Sequence, residues 1–93
     1  MIQVTHRHMA GGQRHEHIAE VKWKNIGTGK TGSSSRASMV AWLDGAKSNQ
    51  AFVQDAKGNK ASIGTVHPTG APAYIRTFAD GKWTDNLLAL DTY

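Results

Sequence analysis

The sequence predicts an α+β domain, a small mainly antiparallel sheet in the order β-β-α-β-β-β packed against one helix. Three observations predict it: several short segments in which apolar residues alternate, one segment with helical spacing, and turn signals between them. With 93 residues, ten of them glycine, the chain has room for one core and many turns. Residues 1–93 are therefore expected to form a single domain, with no internal repeat and no linker long enough to divide it.

Residues 2–9 alternate as a strand, with Ile2, Val4, His6 and His8 on one face. Residues 15–23 alternate likewise, and Ala10-Gly11-Gly12-Gln13 between them is a turn signal. A hairpin that pairs Val4 with Ala19 also sets Ile2 against Val21, His6 against His17 and His8 against His15. On its other face it sets Arg7 against Glu16, a favourable charge pair. Residues 24–35 read as a Gly/Ser/Thr loop. Residues 36–46 have helical spacing, with Met39, Val40 and Leu43 on one side and Trp42 beside them. Ser33, Ser34 or Ser35 supplies the N-cap, and Asp44-Gly45 a glycine terminus.

Residues 51–54 and 61–66 are expected as strands of a second hairpin around residues 55–59. The two prolines of residues 67–72 make that segment a connector. Residues 74–78 form a further strand, Asp80-Gly81 a tight turn, and Thr84, Asp85 and Asn86 cap a final turn carrying Leu87, Leu88 and Leu90.

Composition excludes several chemistries. There is no cysteine, so neither a disulfide framework nor a thiolate zinc site is available. No window approaches the roughly 18 apolar residues of a membrane span, and the first residues lack a charged leader followed by an apolar run. The expected location is cytoplasmic. The net charge of +4 is confined to the first half: residues 1–47 hold seven cations against three anions, and residues 48–93 four against four. From Val21 to Leu43 there are four cations and no anion, an excess that attracts a phosphate or carboxylate or simply makes a solvated basic face.

The combination Gly-Gly-x-x-His-Glu-His-Ile at 11–18, Trp23, Ser-Arg-x-x-Met-Val-x-Trp at 35–42 and Tyr-Ile-Arg-Thr-x-x-Asp-x-x-x-x-Asp-Asn-Leu-Leu-x-Leu at 74–90 resembles the small domain-of-unknown-function family 3892. That family occurs as a stand-alone domain in bacteria and their phages, so a phage-encoded member would sit in the host cytoplasm. Sequences of this type often place proline after the last leucine, where Asp91 stands here. The resemblance implies architecture and lends no activity.

Three constellations can carry chemistry. The expected histidine face of His6, His8, His15 and His17 offers imidazoles for a metal, although side chains two apart on a strand diverge, so ordinary polar pairing is the stronger reading and no metal is expected. Gly29-Lys30-Thr31 looks like the end of a phosphate-binding loop, but Lys24 stands where that motif needs glycine. What remains is Lys30, Ser34, Ser35 and Arg36 leading into a helix start, a setting suited to an anion. Tyr74 and Arg76 share a strand face near Asp80, Asp85 and Asn86, and Arg76 either forks onto a ligand or pairs permanently with one of the aspartates.

No catalytic residue and no cofactor is expected, since there is no Gly-x-Ser-x-Gly and no serine that a particular His and acid must attend. The functional expectation is a non-catalytic module binding a small anionic ligand such as a nucleotide, at a homo-oligomeric interface. Its ligand residues are Arg7, His15, His17, Lys30, Ser34, Ser35, Arg36, Tyr74, Arg76, Asp80, Asp85 and Asn86, with Trp23 available to stack a base. The alternatives are a nucleic-acid-binding domain, suited by a pI near 9.7, and a protein-protein inhibitor or adaptor.

Overall fold

The computed structural model describes residues 1–79 and 81–93, so Asp80 and its share of the expected Asp80-Gly81 turn lie outside the described residues. The fold is α+β, a mainly antiparallel sheet with one helix. Its elements are β1 (Ile2–Met9), a 3-10 turn (His15–His17), β2 (Ile18–Asn25), β3 (Thr31–Ser35), α1 (Arg36–Gly45), β4 (Ala51–Gln54), β5 (Lys60–Val66), β6 (Tyr74–Ala79), β7 (Lys82–Thr84), a second 3-10 turn (Asn86–Ala89) and β8 (Asp91–Thr92). The strands run in the order β3-β2-β1-β4-β5-β6-β7, with β8 also on β1.

Strand β1 organises the sheet. One side pairs antiparallel with β2. On the other, its first residues pair in parallel with β4 and its later residues, His6 and Arg7, with β8. The short last strand thus occupies the flank of β1 beyond the reach of β4, and blunts what would otherwise be an open edge.

The first hairpin forms in a register four to five residues away from the predicted one: Val4 pairs with Trp23, Arg7 with Val21 and Met9 with Ile18. The cause is local. Residues 15–17 leave the strand and coil into a 3-10 turn, closed by the His17 amide donating to the Arg14 carbonyl at 3.0 Å and the Arg14 amide donating to His17 Nδ1 at 3.2 Å. A register shift between Val4 and His6 then places Arg7 opposite buried Val21. The expected pairs of His6 with His17, His8 with His15 and Arg7 with Glu16 do not exist. Arg7 Nε instead donates to the Leu90 carbonyl at 3.0 Å.

Residues 24–35 also depart from expectation, because only residues 26–30 are a turn. The Asn25 amide donates to the Lys30 carbonyl at 2.7 Å, and Asn25 Oδ1 accepts from the Gly27 amide at 2.9 Å. Strand β3 follows, pairing Ser34 with Val21 and Gly32 with Trp23. Glycine is required there: a Cβ on Gly32 would come within 2.6 Å of the Trp23 ring.

Helix α1 starts on Ser35, whose Oγ accepts from the Ser38 amide at 3.1 Å. Its end differs from the predicted glycine terminus, since Ala46 is extended and Gly45 lacks a positive φ. Asn49 closes it instead, its side-chain amide donating to the Trp42 carbonyl at 2.8 Å. Met39 and Val40 bury themselves in a core with Val4, Ile18, Val21, Ile63, Ile75 and Leu87. Ile18, Ile75 and Leu87 are fully buried, and each such side chain contributes roughly 1.5–3 kcal/mol. Thr77, also fully buried, has its hydroxyl satisfied: it donates to the Thr84 carbonyl at 3.1 Å and accepts from the Leu87 amide at 3.3 Å.

Candidate functional site

Strand β3 runs directly into α1, so Ser35 ends the strand and caps the helix while Arg36 opens it. Ser35 pairs with Glu20 near the start of β2, which brings the 3-10 turn at residues 15–17 beside the first turn of the helix. Arg36 spans this junction, with Nη1 donating to the Glu16 carbonyl. One guanidinium N–H is engaged in that anchor, and a fork of five donors retains others for a ligand.

Two cavities flank the junction and share Glu16, His17 and Arg36. One, of about 300 Å³, reaches Ala10, Ala19, Ser35 and Ala37. The other, of about 440 Å³, is walled by Pro68, Ala71, Pro72 and Tyr74. The His17 ring is fixed between them because it lies against Gly12, where a Cβ would approach it to 2.7 Å. Since His17 Nδ1 accepts from the Arg14 amide, the neutral ring carries its proton on Nε2 as a donor.

The first-turn N–H groups at Arg36 and Ala37 have no acceptor within the helix, and the helix dipole favours an anion there. Glu16 is the opposing charge, and its carboxylate leans towards Arg14 at 4.0 Å. The groove therefore presents a guanidinium, an imidazole N–H, a helix start and a tyrosine ring beside two prolines. That arrangement can orient an anion.

His15 lies behind the groove, 7% exposed, with Nε2 3.8 Å from Asp85 Oδ1 and no hydrogen-bond partner among the described residues. Burial lowers its pKa, and the nearby Arg76 charge adds to this; Asp85 and Glu16 act in the opposite direction. Arg76 is engaged. Its Nη2 meets Asp85 Oδ1 at 3.2 Å and its Nε donates to the Thr84 carbonyl at 3.3 Å. Arg76 is thus paired with one of the two candidate aspartates, and the pair ties β6 to the segment entering the last 3-10 turn.

Of the residues singled out by sequence, the structure brings together His17, Ser35, Arg36 and Tyr74. Lys30 stands at the far end of β3, six residues before Arg36 and so roughly 20 Å away at about 3.3 Å per strand residue. Trp23 and Ser34 face a different cavity, Arg7 holds Leu90, Asn86 lines a cavity with Thr5 and Val53, and Asp85 holds Arg76. Asp80 lies outside the described residues.

The four-histidine arrangement is dispersed. His6 and His8 lie against Tyr93, His15 is buried and His17 lines the groove. Among the described residues no three His, Asp or Glu side chains gather as metal ligands. Glu16, Pro68 and Pro72 also line the groove, though none stands out in the sequence as a ligand residue. The prolines were visible as a rigid connector, but nothing local indicated what they face.

Among the described residues no helix is long and apolar enough to cross a membrane. No curated protein matches the chain, and no solved structure does. A family model does match, over residues 2–91, and the chain belongs to that family, described as protein of unknown function (DUF3892).

Proposed function

We propose that this domain is a non-catalytic binding module that holds a small anionic ligand, a nucleotide or related phosphate-bearing signalling metabolite, in the groove between Arg36, His17 and Tyr74. The observation that carries the reading is the convergence of the Arg36 guanidinium and the His17 Nε2 donor on the N-terminal turn of α1. Cavities of about 300 and 440 Å³ fall within the range of small-ligand sites. Tyr74 supplies a ring face for a base, and Pro68 and Pro72 keep that wall rigid at little entropic cost on binding. The groove is open to solvent, so a second copy of the chain closing over it is part of the proposal. In a phage or bacterial immunity setting, such a module acts by sequestering its ligand.

Calorimetry against nucleotides and inorganic phosphate tests this. A saturable site is expected, with Arg36→Ala weakening it about 10- to 100-fold, the range of a hydrogen bond to a charged group. Absence of heat with every phosphorylated ligand contradicts it. A second reading, a single-stranded nucleic-acid binder, is favoured by one observation: Phe78 and Trp83 are exposed together beside Gly64, edge to face at 5.7 Å. It requires affinity that grows with polymer length and falls steeply with salt, whereas a small-anion site saturates with a mononucleotide.

A further inference from the structure

A further cavity, of about 380 Å³, opens on the other side of the helix start between Trp23 and Trp42, with Ile2, Asn25, Ser34, Ser38 and Met39 completing its wall. We infer that this slot is a binding site for a planar heteroaromatic ring with acceptor atoms along its edge, the chemistry of a nucleobase. The site is distinct from the Arg36 groove and does not depend on it.

The Trp23 wall of the slot is organised before any ligand arrives. Trp23 is locked from two directions, since its ring lies across Gly32 and its Nε1 donates to Ser34 Oγ at 2.9 Å. Trp42 sits on the last turns of α1, where Asn49 holds its carbonyl. Trp42 is 36% exposed, so its indole is available to a ring entering from solvent. A fixed indole at Trp23 with an exposed one at Trp42 favours a flat guest, because stacking then orders side-chain freedom at one ring only.

The hydrogen bonds around the slot specify the guest's edge. Ser34 Oγ accepts from Trp23, which leaves its own proton to donate. Ser38 Oγ accepts from the Ser35 hydroxyl at 3.0 Å, leaving its proton likewise. Asn25 Oδ1 accepts from the Gly27 and Thr28 amides, so its Nδ2 is the remaining group. Among the described residues none of these three donors has an acceptor. Three donors without charge, beside two indole rings, match ring nitrogens and carbonyls and offer nothing specific to a phosphate.

The test is an NMR titration of the full chain with adenosine, guanosine, cytidine and uridine, followed at the three indole N–H signals. Unsubstituted indole serves as a flat ring with no edge acceptor. Saturable shifts of Trp23 and Trp42 are expected with at least one nucleoside, while Trp83 stays still. Trp42→Ala should weaken binding tenfold or more, Ser34→Ala should weaken it severalfold with the fold intact, and Arg36→Ala should leave it unchanged. Failure of every nucleoside to move the Trp23 and Trp42 signals overturns the inference, as does binding of indole as tight as any nucleoside. Because nucleosides carry no phosphate, either result is separable from failure of the anion groove.

Discussion

At the residue scale, His15 shows how a single side chain departs from its sequence pattern. It lies in an alternating segment, yet the 3-10 turn buries it behind the groove without a described hydrogen-bond partner. Burial and Arg76 lower its pKa below the ordinary 6.5. The neutral ring is therefore favoured in the folded state, and the unfolded chain binds the extra proton first as pH falls. Stability should be complete above about pH 6.5 and decline as the pH drops from there towards the folded-state pKa. Urea denaturation of wild type and His15→Gln between pH 7.5 and 5 checks this. The expected result is that the wild-type midpoint falls more steeply, and parallel pH profiles would count against it.

At the scale of elements, legibility followed periodicity. The helix, β4, β5 and β6 were readable because their apolar residues recur at the spacing that buries one face, as Met39, Val40, Ile63 and Ile75 do. Strand β3 was not, since Thr31-Gly-Ser-Ser-Ser35 carries no apolar residue and is held by ladder bonds to β2 and by the Trp23 ring over Gly32. Strands β7 and β8 are three and two residues long, too short for a pattern. The β1–β2 register failed for a different reason: three residues removed into a 3-10 turn shift every later pairing, and two plausible cross-strand matches did not outweigh the burial of Ile18 and Val21. Ser35 links two elements, as last residue of β3 and cap of α1. Ser35→Ala should cost about 1 kcal/mol in denaturant unfolding, and it should also loosen the helix start that frames the groove.

At the scale of the whole molecule, the positive charge of the first half does not converge as the sequence suggested. Lys30 is carried to the far end of a hairpin, Arg76 is paired with Asp85, and Arg7 holds the C-terminal segment. Such placements depend on topology and have no local sequence signal. The Tyr93 end of the chain is docked on β1 and β2: its hydroxyl donates to Glu20 at 2.7 Å and Lys22 lies 4.5 Å from its ring centroid. Partial burial, with the Glu20 hydrogen bond and charge, raises the Tyr93 pKa to about 12. What remains available for an anion is the junction where β3 enters α1 and the turn before β2 meets it.

The most direct measurement is a titration of the isotopically labelled protein with inorganic phosphate, followed at its backbone amides. Saturable shifts at His17, Arg36 and Ala37 that vanish in Arg36→Ala are expected. Shifts confined to the lysines of β2 and the Lys30 turn, or none at the helix start, would contradict the proposed anion site.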